Sequence, residues 1–122
     1  MNRDVVQIPP NMTVTDFINK VLSSNHHTSF PVVLERRLHG MLLLEELKQV
    51  PREEWPHLEA REVMRPVDAS MFINANAPIR EAQSMLSNNR LGRAVVLDSN
   101  GLIVGYVSLR DVSKVRSEPA QS

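Results

Sequence analysis

The chain has 122 residues, with 14 basic and 14 acidic side chains and no cysteine. That length suits one compact domain and is too short for a catalytic domain joined to a regulatory one. Because the charge is balanced, no overall attraction draws the chain to nucleic acid, and none is expected as a partner. The absence of cysteine excludes a disulfide framework, a thiolate metal site and a cysteine nucleophile, and it fits a cytoplasmic setting. No apolar run approaches the roughly 18 residues that a membrane-spanning helix needs.

The first predicted element is an amphipathic helix, because apolar residues recur at helical spacing between Val14 and Leu22. Asn11 or Thr13 can cap the start of this helix. The continuous apolar run at residues 31–34 then predicts a strand that is covered on both faces.

A second strand of the same hairpin is predicted to begin near Gly40, after a turn at residues 35–39 that contains no glycine. A short helix should follow and end at Pro51, since proline cannot continue a helix. Residues 51–56 form a proline-bounded connector, in which Trp55 is predicted to be a packed anchor.

The same series of elements recurs in the second half of the chain. A helical stripe from Ile79, an apolar strand at residues 94–97, a turn from Asp98 and a strand containing Gly105 follow in the same order. Gly105 lies 65 residues after Gly40. Such a repeat predicts two copies of one small unit, each a sheet packed with two helices, that share a central cleft.

These residues resemble a tandem CBS domain pair, also called a Bateman module. The resemblance rests on the paired apolar strands, the glycine-led strands and the Ser-Leu-Arg-Asp-Val segment at residues 108–112. It implies an α/β (α+β) fold of two pseudo-symmetric repeats. The first repeat with its connector would span residues 1–56, the second residues 57–117, and residues 118–122 would form a disordered tail. Pairs of this kind commonly dimerise, so a homodimer is expected.

A narrower resemblance concerns residues 27–33, 44–56 and 63–66. These segments are similar to the CBS pair attached to site-two-protease-like membrane zinc metallopeptidases of prokaryotes. The resemblance implies an attached membrane protease domain and a position on the cytoplasmic side of the membrane. No His-Glu-x-x-His motif occurs in the sequence, so we expect this chain itself not to be an enzyme.

The family resemblance also implies a regulatory adenosyl ligand, namely ATP, ADP, AMP or S-adenosylmethionine. A hydroxyl at a helix start favours phosphate, an arginine adds charge-assisted contacts, and a carboxylate can accept from both ribose hydroxyls. The family's base pocket matches residues at the starts of two strands. The predicted ligand-binding residues are Ser108, Arg110, Asp111, Arg93, Ala94, Met71 and Ile73. The Ser-x-x-Asp pattern is also a helix-capping motif, and that reading stays open.

The first repeat departs from this pattern, with Leu43 in place of the hydroxyl and Glu46 in place of the aspartate. We therefore expect its half-site to be impaired or empty. The weaker candidate residues there are His27, Ser29, Phe30, Leu43 and Glu46. The adjacent His26 and His27 do not converge on one ion without further ligands, so no metal site is expected.

The sequence thus favours a regulatory module that senses an adenosyl ligand and controls an attached effector. The alternative is a ligand-free scaffold for dimerisation or interaction, which the degraded first repeat would fit.

Overall fold

A computed structural model of the chain describes residues 6–89 and 91–108. Two compact units divide between Val67 and Asp68, and each contains one three-stranded sheet with helices. The predicted α+β class with a repeated unit is confirmed. The predicted boundary after residue 56 stays a prediction about the sequence repeats. Among the described residues, no helix combines the length and apolarity that crossing a membrane requires.

The predicted first helix is confirmed as a helical segment with an irregular centre. It consists of α1 at Val14–Asp16, a π-helical turn at Phe17–Val21 and a 3₁₀ turn at Leu22–Ser24. Thr13 is the N-cap, and its Oγ1 accepts a hydrogen bond of 3.1 Å from the Asp16 amide. This bond satisfies one of the amide groups that a helix start leaves without an internal partner.

The apolar face of this segment forms the core of the first unit. Phe17 and Phe30 meet edge to face with ring centroids 4.9 Å apart, and both are almost fully buried. This is a favoured geometry for aromatic pairs. The buried residues around them are Ile8, Val14, Val21, Val32, Leu42, Leu47 and Ala60.

Three strands form the sheet of the first unit, in the order β1 at Ser29–Leu34, β2 at Arg37–Leu43 and β3 at Arg65–Pro66. All neighbouring strands run antiparallel. Ile8 adds a parallel bridge to Val32, so β1 has backbone partners on both edges. Five of its six residues are buried, so both faces of β1 are covered as predicted, which explains why its sequence is continuously apolar rather than alternating.

Short helices connect the first sheet to the chain beyond it. The helix predicted to reach Pro51 is a single turn, α2 at Leu44–Leu47, and a 3₁₀ helix at Arg52–His57 and α3 at Ala60–Val63 follow. Trp55 is half-buried against the first core, and its Nε1 donates to the Val50 carbonyl at 3.0 Å. The predicted anchor role of this tryptophan is confirmed.

The turn between β1 and β2 is strained. Its two residues, Glu35 and Arg36, have φ angles of 52° and 62°. In two-residue hairpin turns such positive angles favour Asn-Gly, because most side chains crowd the backbone there.

Replacing Glu35-Arg36 with Asn-Gly should therefore stabilise the chain by about 1–2 kcal/mol. Urea unfolding monitored by circular dichroism measures this gain. The matched control places Asn-Gly at Ser99-Asn100 in the second hairpin, where neither residue has a positive φ, and should bring no gain. Equal stability changes in the two variants would refute the strain argument.

The second unit contains α4 at Ile79–Asn88 and three strands, β4 at Phe72–Asn74, β5 at Arg93–Leu97 and β6 at Ile103–Ser108. The strand order is β4-β5-β6, with β4 parallel and β6 antiparallel to β5. Strand β5 is therefore central in its sheet, and its three middle residues are buried, which confirms the apolar strand predicted at residues 94–97.

The predicted helical stripe consists of Ile79, Ala82, Met85 and Leu86, and three of these four residues pack on the sheet of the second unit. Ala82 and Leu86 are buried with Ile73, Ala94 and Val96, and Met85 is partly buried against this cluster. The fourth residue, Ile79, lies at the first position of α4 and remains 46% exposed.

The predicted turn after β5 is confirmed. Asp98 Oδ1 accepts from the amides of Asn100 at 2.8 Å and Leu102 at 3.0 Å. Gly101, with a φ of 81°, supplies the left-handed conformation that the turn requires.

Candidate functional site

Three segments of the predicted ligand site meet at one end of the second sheet. Met71 directly precedes β4, Arg93 begins β5 and Ser108 ends β6. Because β4 runs parallel and β6 antiparallel to β5, these positions share the same end of the sheet. The Met71 carbonyl accepts from the Val95 amide at 2.8 Å, and Arg93 lies opposite Ser108 in the β5–β6 register. The structure thus groups predicted residues from three separate parts of the sequence.

Arg93 places a positive charge at this end of the sheet. Desolvation by burial lowers the pKa of its guanidinium from the usual value, and the electrostatic interaction with Tyr106 raises that pKa in part. Arginine nevertheless stays protonated at neutral pH. A partly desolvated cation beside a serine hydroxyl is a suitable environment for an anionic group.

The other predicted residues differ in their surroundings. Ala94 and Ile73 are buried in the core of the second unit at 1% and 7% exposure, so in this structure their side chains serve packing. Met71 is also fully buried. Arg110 and Asp111 lie outside the described residues, as do the predicted last helix and the tail at residues 118–122.

A shallow groove of about 270 Å³ lies beside β4 and α4. Its lining residues are Ala69, Phe72, Ile73, Asn74, Glu81 and Met85. It shares Ile73 with the predicted ligand set, but its lining includes neither Arg93 nor Ser108.

The equivalent end of the first sheet has different chemistry. Ser29 lies opposite Leu43 in the β1–β2 register, the same relation that Arg93 has to Ser108 in the second unit. The first unit therefore carries a buried serine in place of the arginine and a leucine in place of the serine. A leucine side chain cannot donate to a phosphate oxygen.

Glu46, the carboxylate of this weaker candidate site, already has a cationic partner. Its Oε2 accepts from Nη2 of Arg65 at 2.5 Å, and both side chains are partly exposed. Arg65 belongs to β3 and pairs with Met41 of β2. The sequence did not point to Arg65, because no local pattern links two residues that are 19 positions apart.

His27 and Phe30, the remaining candidates of the first unit, are close to each other. Their rings lie edge to face with centroids 6.1 Å apart, and Phe30 is fully buried while His27 is exposed. Within residues 6–89 and 91–108, no group of three or more His, Cys, Asp or Glu side chains could hold a metal ion.

Known proteins are similar to this chain in sequence and in fold. The family profile of the CBS domain matches residues 1–53 and again residues 60–118. A protein from Synechocystis sp., provisionally named a zinc metalloprotease, is 26% identical over 88% of this chain. An uncharacterized protein of Methanocaldococcus jannaschii is 27% identical over 94% of this chain. The chain spans 29% of the length of the first relative and 37% of the second.

Two solved structures have the same fold at low sequence identity. The CBS domain of a bacterial CNNM/CorC family Mg²⁺ transporter in complex with ATP has a TM-score of 0.73 and 20% identity, and the match covers 91% of this chain and 78% of that one. The structure of CBSX2 in complex with AMP has a TM-score of 0.76 and 16% identity, covering 98% of this chain and 92% of that one. With two profile matches that cover nearly its whole length, this chain belongs to the CBS domain family and contains a tandem pair of these domains.

Proposed function

We propose that this CBS pair is a regulatory module that binds an adenine nucleotide or another adenosyl ligand at the second repeat. The observation that carries the proposal is the convergence of Met71, Arg93 and Ser108 at one end of the second sheet. The candidate ligands are ATP, ADP, AMP and S-adenosylmethionine. Two proteins of the same fold are known in complex with ATP and AMP, which supports this class of ligand.

Each residue of the proposed site has a chemical role. The Arg93 guanidinium and the Ser108 hydroxyl would bind the ligand's phosphate groups, with Arg110 adding a second positive charge. The Asp111 carboxylate would accept hydrogen bonds from the ribose hydroxyls. Backbone groups near Met71 and Arg93 would contact the adenine edge.

The ligand would control an attached effector, which we propose to be a membrane zinc metallopeptidase. The module would then lie on the cytoplasmic side of the membrane and form a homodimer. The relative from Synechocystis sp. supports this choice, because its name is that of a zinc metalloprotease and this chain matches only part of its length. A ligand can shift the module between two arrangements only as far as its affinities for them differ. Control therefore requires that the geometry of the ligand site, and with it the affinity for the ligand, differs between the two arrangements.

A second candidate function is a scaffold without a ligand. The contact between Glu46 and Arg65, together with Leu43 at the hydroxyl position, favours it for the first repeat. If both repeats had lost binding, the fold would serve only dimerisation or interaction.

Thermal unfolding distinguishes the two functions. A ligand that binds only the folded state at about 100 times its Kd adds ~2.7 kcal/mol and raises the Tm by roughly 10 °C. We expect such a rise with at least one of the four ligands, and a much smaller one in Ser108→Ala.

Leu43→Ala, at the register-equivalent position of the first repeat, is the matched control and should keep the ligand-induced shift. A Tm that depends on protein concentration and does not respond to any of the ligands would support the scaffold and reject the sensor.

A further inference from the structure

Asn89 lies between α4 and β5, and its side chain makes four hydrogen bonds. Its Nδ2 donates to the Ser70 carbonyl at 2.9 Å and to the Arg93 carbonyl at 3.1 Å. Its Oδ1 accepts from the amides of Leu91 at 2.9 Å and Gly92 at 3.3 Å. An asparagine side chain has two donors and two acceptor positions, so this network uses its full capacity.

The partners of Asn89 determine how its amide group is oriented. Two carbonyl oxygens face the Nδ2 side and two backbone amides face the Oδ1 side, so a flipped amide would place like groups together. The side chain is partly buried, which makes each unsatisfied partner costly.

Two of these bonds connect the strand starts that form the proposed site. Ser70 directly precedes Met71 at the start of β4, and Arg93 is the first residue of β5. The bond from the Val95 amide to the Met71 carbonyl is the neighbouring backbone link between the same segments. Asn89 therefore fixes the spacing of the two backbone segments that would contact the base.

The first unit has an asparagine at the equivalent place without this function. Asn25 precedes Ser29 by four positions, as Asn89 precedes Arg93. Its Nδ2 donates at 2.8 Å to the Val21 carbonyl of its own helical segment. The bridge between strand starts thus occurs in the repeat that has Ser108, whereas the asparagine of the first repeat bonds to its own helical segment.

We propose that Asn89 is a positioning residue that sets the base specificity of the second-repeat site, an inference that rests on the proposed function. It does not touch the ligand. It holds the carbonyls of Ser70 and Arg93 at a fixed separation, so that the adjacent backbone groups can match the hydrogen-bonding edge of adenine. Guanine has a carbonyl where adenine has an amino group, so a fixed backbone template would reject it.

The test compares AMP and GMP affinities by calorimetry at a temperature where circular dichroism shows each variant to be folded. Asn89→Asp keeps the acceptors for Leu91 and Gly92 but loses both donors, whereas Asn89→Ala removes all four bonds. We expect about tenfold weaker AMP binding in either variant, because the strand starts at Ser70 and Arg93 are no longer held at the separation that fits the base. The preference for AMP over GMP should shrink as well.

Asn25→Asp is the matched control, since it also loses an amide donor and changes the charge equally, and it should keep the wild-type AMP preference. A folded Asn89 variant with the wild-type affinity and preference, even if its Tm is lower, would overturn the positioning role. Wild-type protein that binds none of the adenosyl ligands would instead overturn the proposed function, and this inference with it.

Discussion

Gly40→Ala is expected to destabilise the chain by about 2–3 kcal/mol. A Cβ atom at this position would lie 2.4 Å from the Arg65 carbonyl oxygen and 2.8 Å from the Met64 sulfur. The first of these is a backbone atom of β3, so the strand would have to move away from β2. This cost outweighs the roughly 0.5–1 kcal/mol by which alanine is otherwise preferred over glycine in a strand.

Urea unfolding of Gly40→Ala and Gly92→Ala measures this difference. Gly92 has a φ of +74° and no atom within 4 Å of the added Cβ, so its substitution should cost only about 1 kcal/mol of backbone strain. If Gly40→Ala were no less stable than Gly92→Ala, the close approach of β3 to β2 would not contribute to the stability of the fold. That packing also places Arg65 where it pairs with Glu46.

Arg93→Met should weaken adenine nucleotide binding by about 10- to 100-fold, the loss expected for one charge-assisted hydrogen bond. The substitution should not destabilise the fold. Burial already disfavours the charged form of Arg93, as its lowered pKa shows, and methionine keeps an unbranched apolar stem. We therefore expect a Tm equal to or above that of the wild type.

Arg80→Met is the matched control, because Arg80 is exposed on α4 and its loss changes the net charge equally. This control should retain both nucleotide affinity and Tm. Calorimetry and thermal unfolding on the same samples separate the two effects. Unchanged affinity in Arg93→Met would remove this arginine from the site.

Hydrophobic periodicity was sufficient to predict the main elements of both units. The stripe of Val14, Phe17 and Val21 indicates a helix, and the buried runs in β1 and β5 indicate covered strands, because burial itself selects these patterns. The π-helical turn at Phe17–Val21 has no such sequence signature.

Features set by tertiary contacts were not predictable. Strand β3 has only two residues, both exposed, and its pairing with β2 depends on the room that Gly40 leaves. The strained Glu35-Arg36 turn carries none of the usual turn residues.

The candidate site was predictable only in part. The resemblance identified Ser108 and Arg93, and the strand register then placed them opposite each other. Arg65 and Asn89 were missed, because their roles depend on partners 19 positions away. The spacing shared by Asn25 and Asn89 was a visible signal, but only the hydrogen bonds reveal that the two residues act differently.

The central claim is that the second repeat alone binds the ligand. Titration of the wild-type chain with AMP, followed by backbone amide NMR, tests it most directly. We expect shifts at Met71, Arg93 and Ala94 that saturate at one equivalent of AMP per chain. Equal shifts at Ser29 and Phe30, saturation at two equivalents, or no shifts at all would contradict the claim.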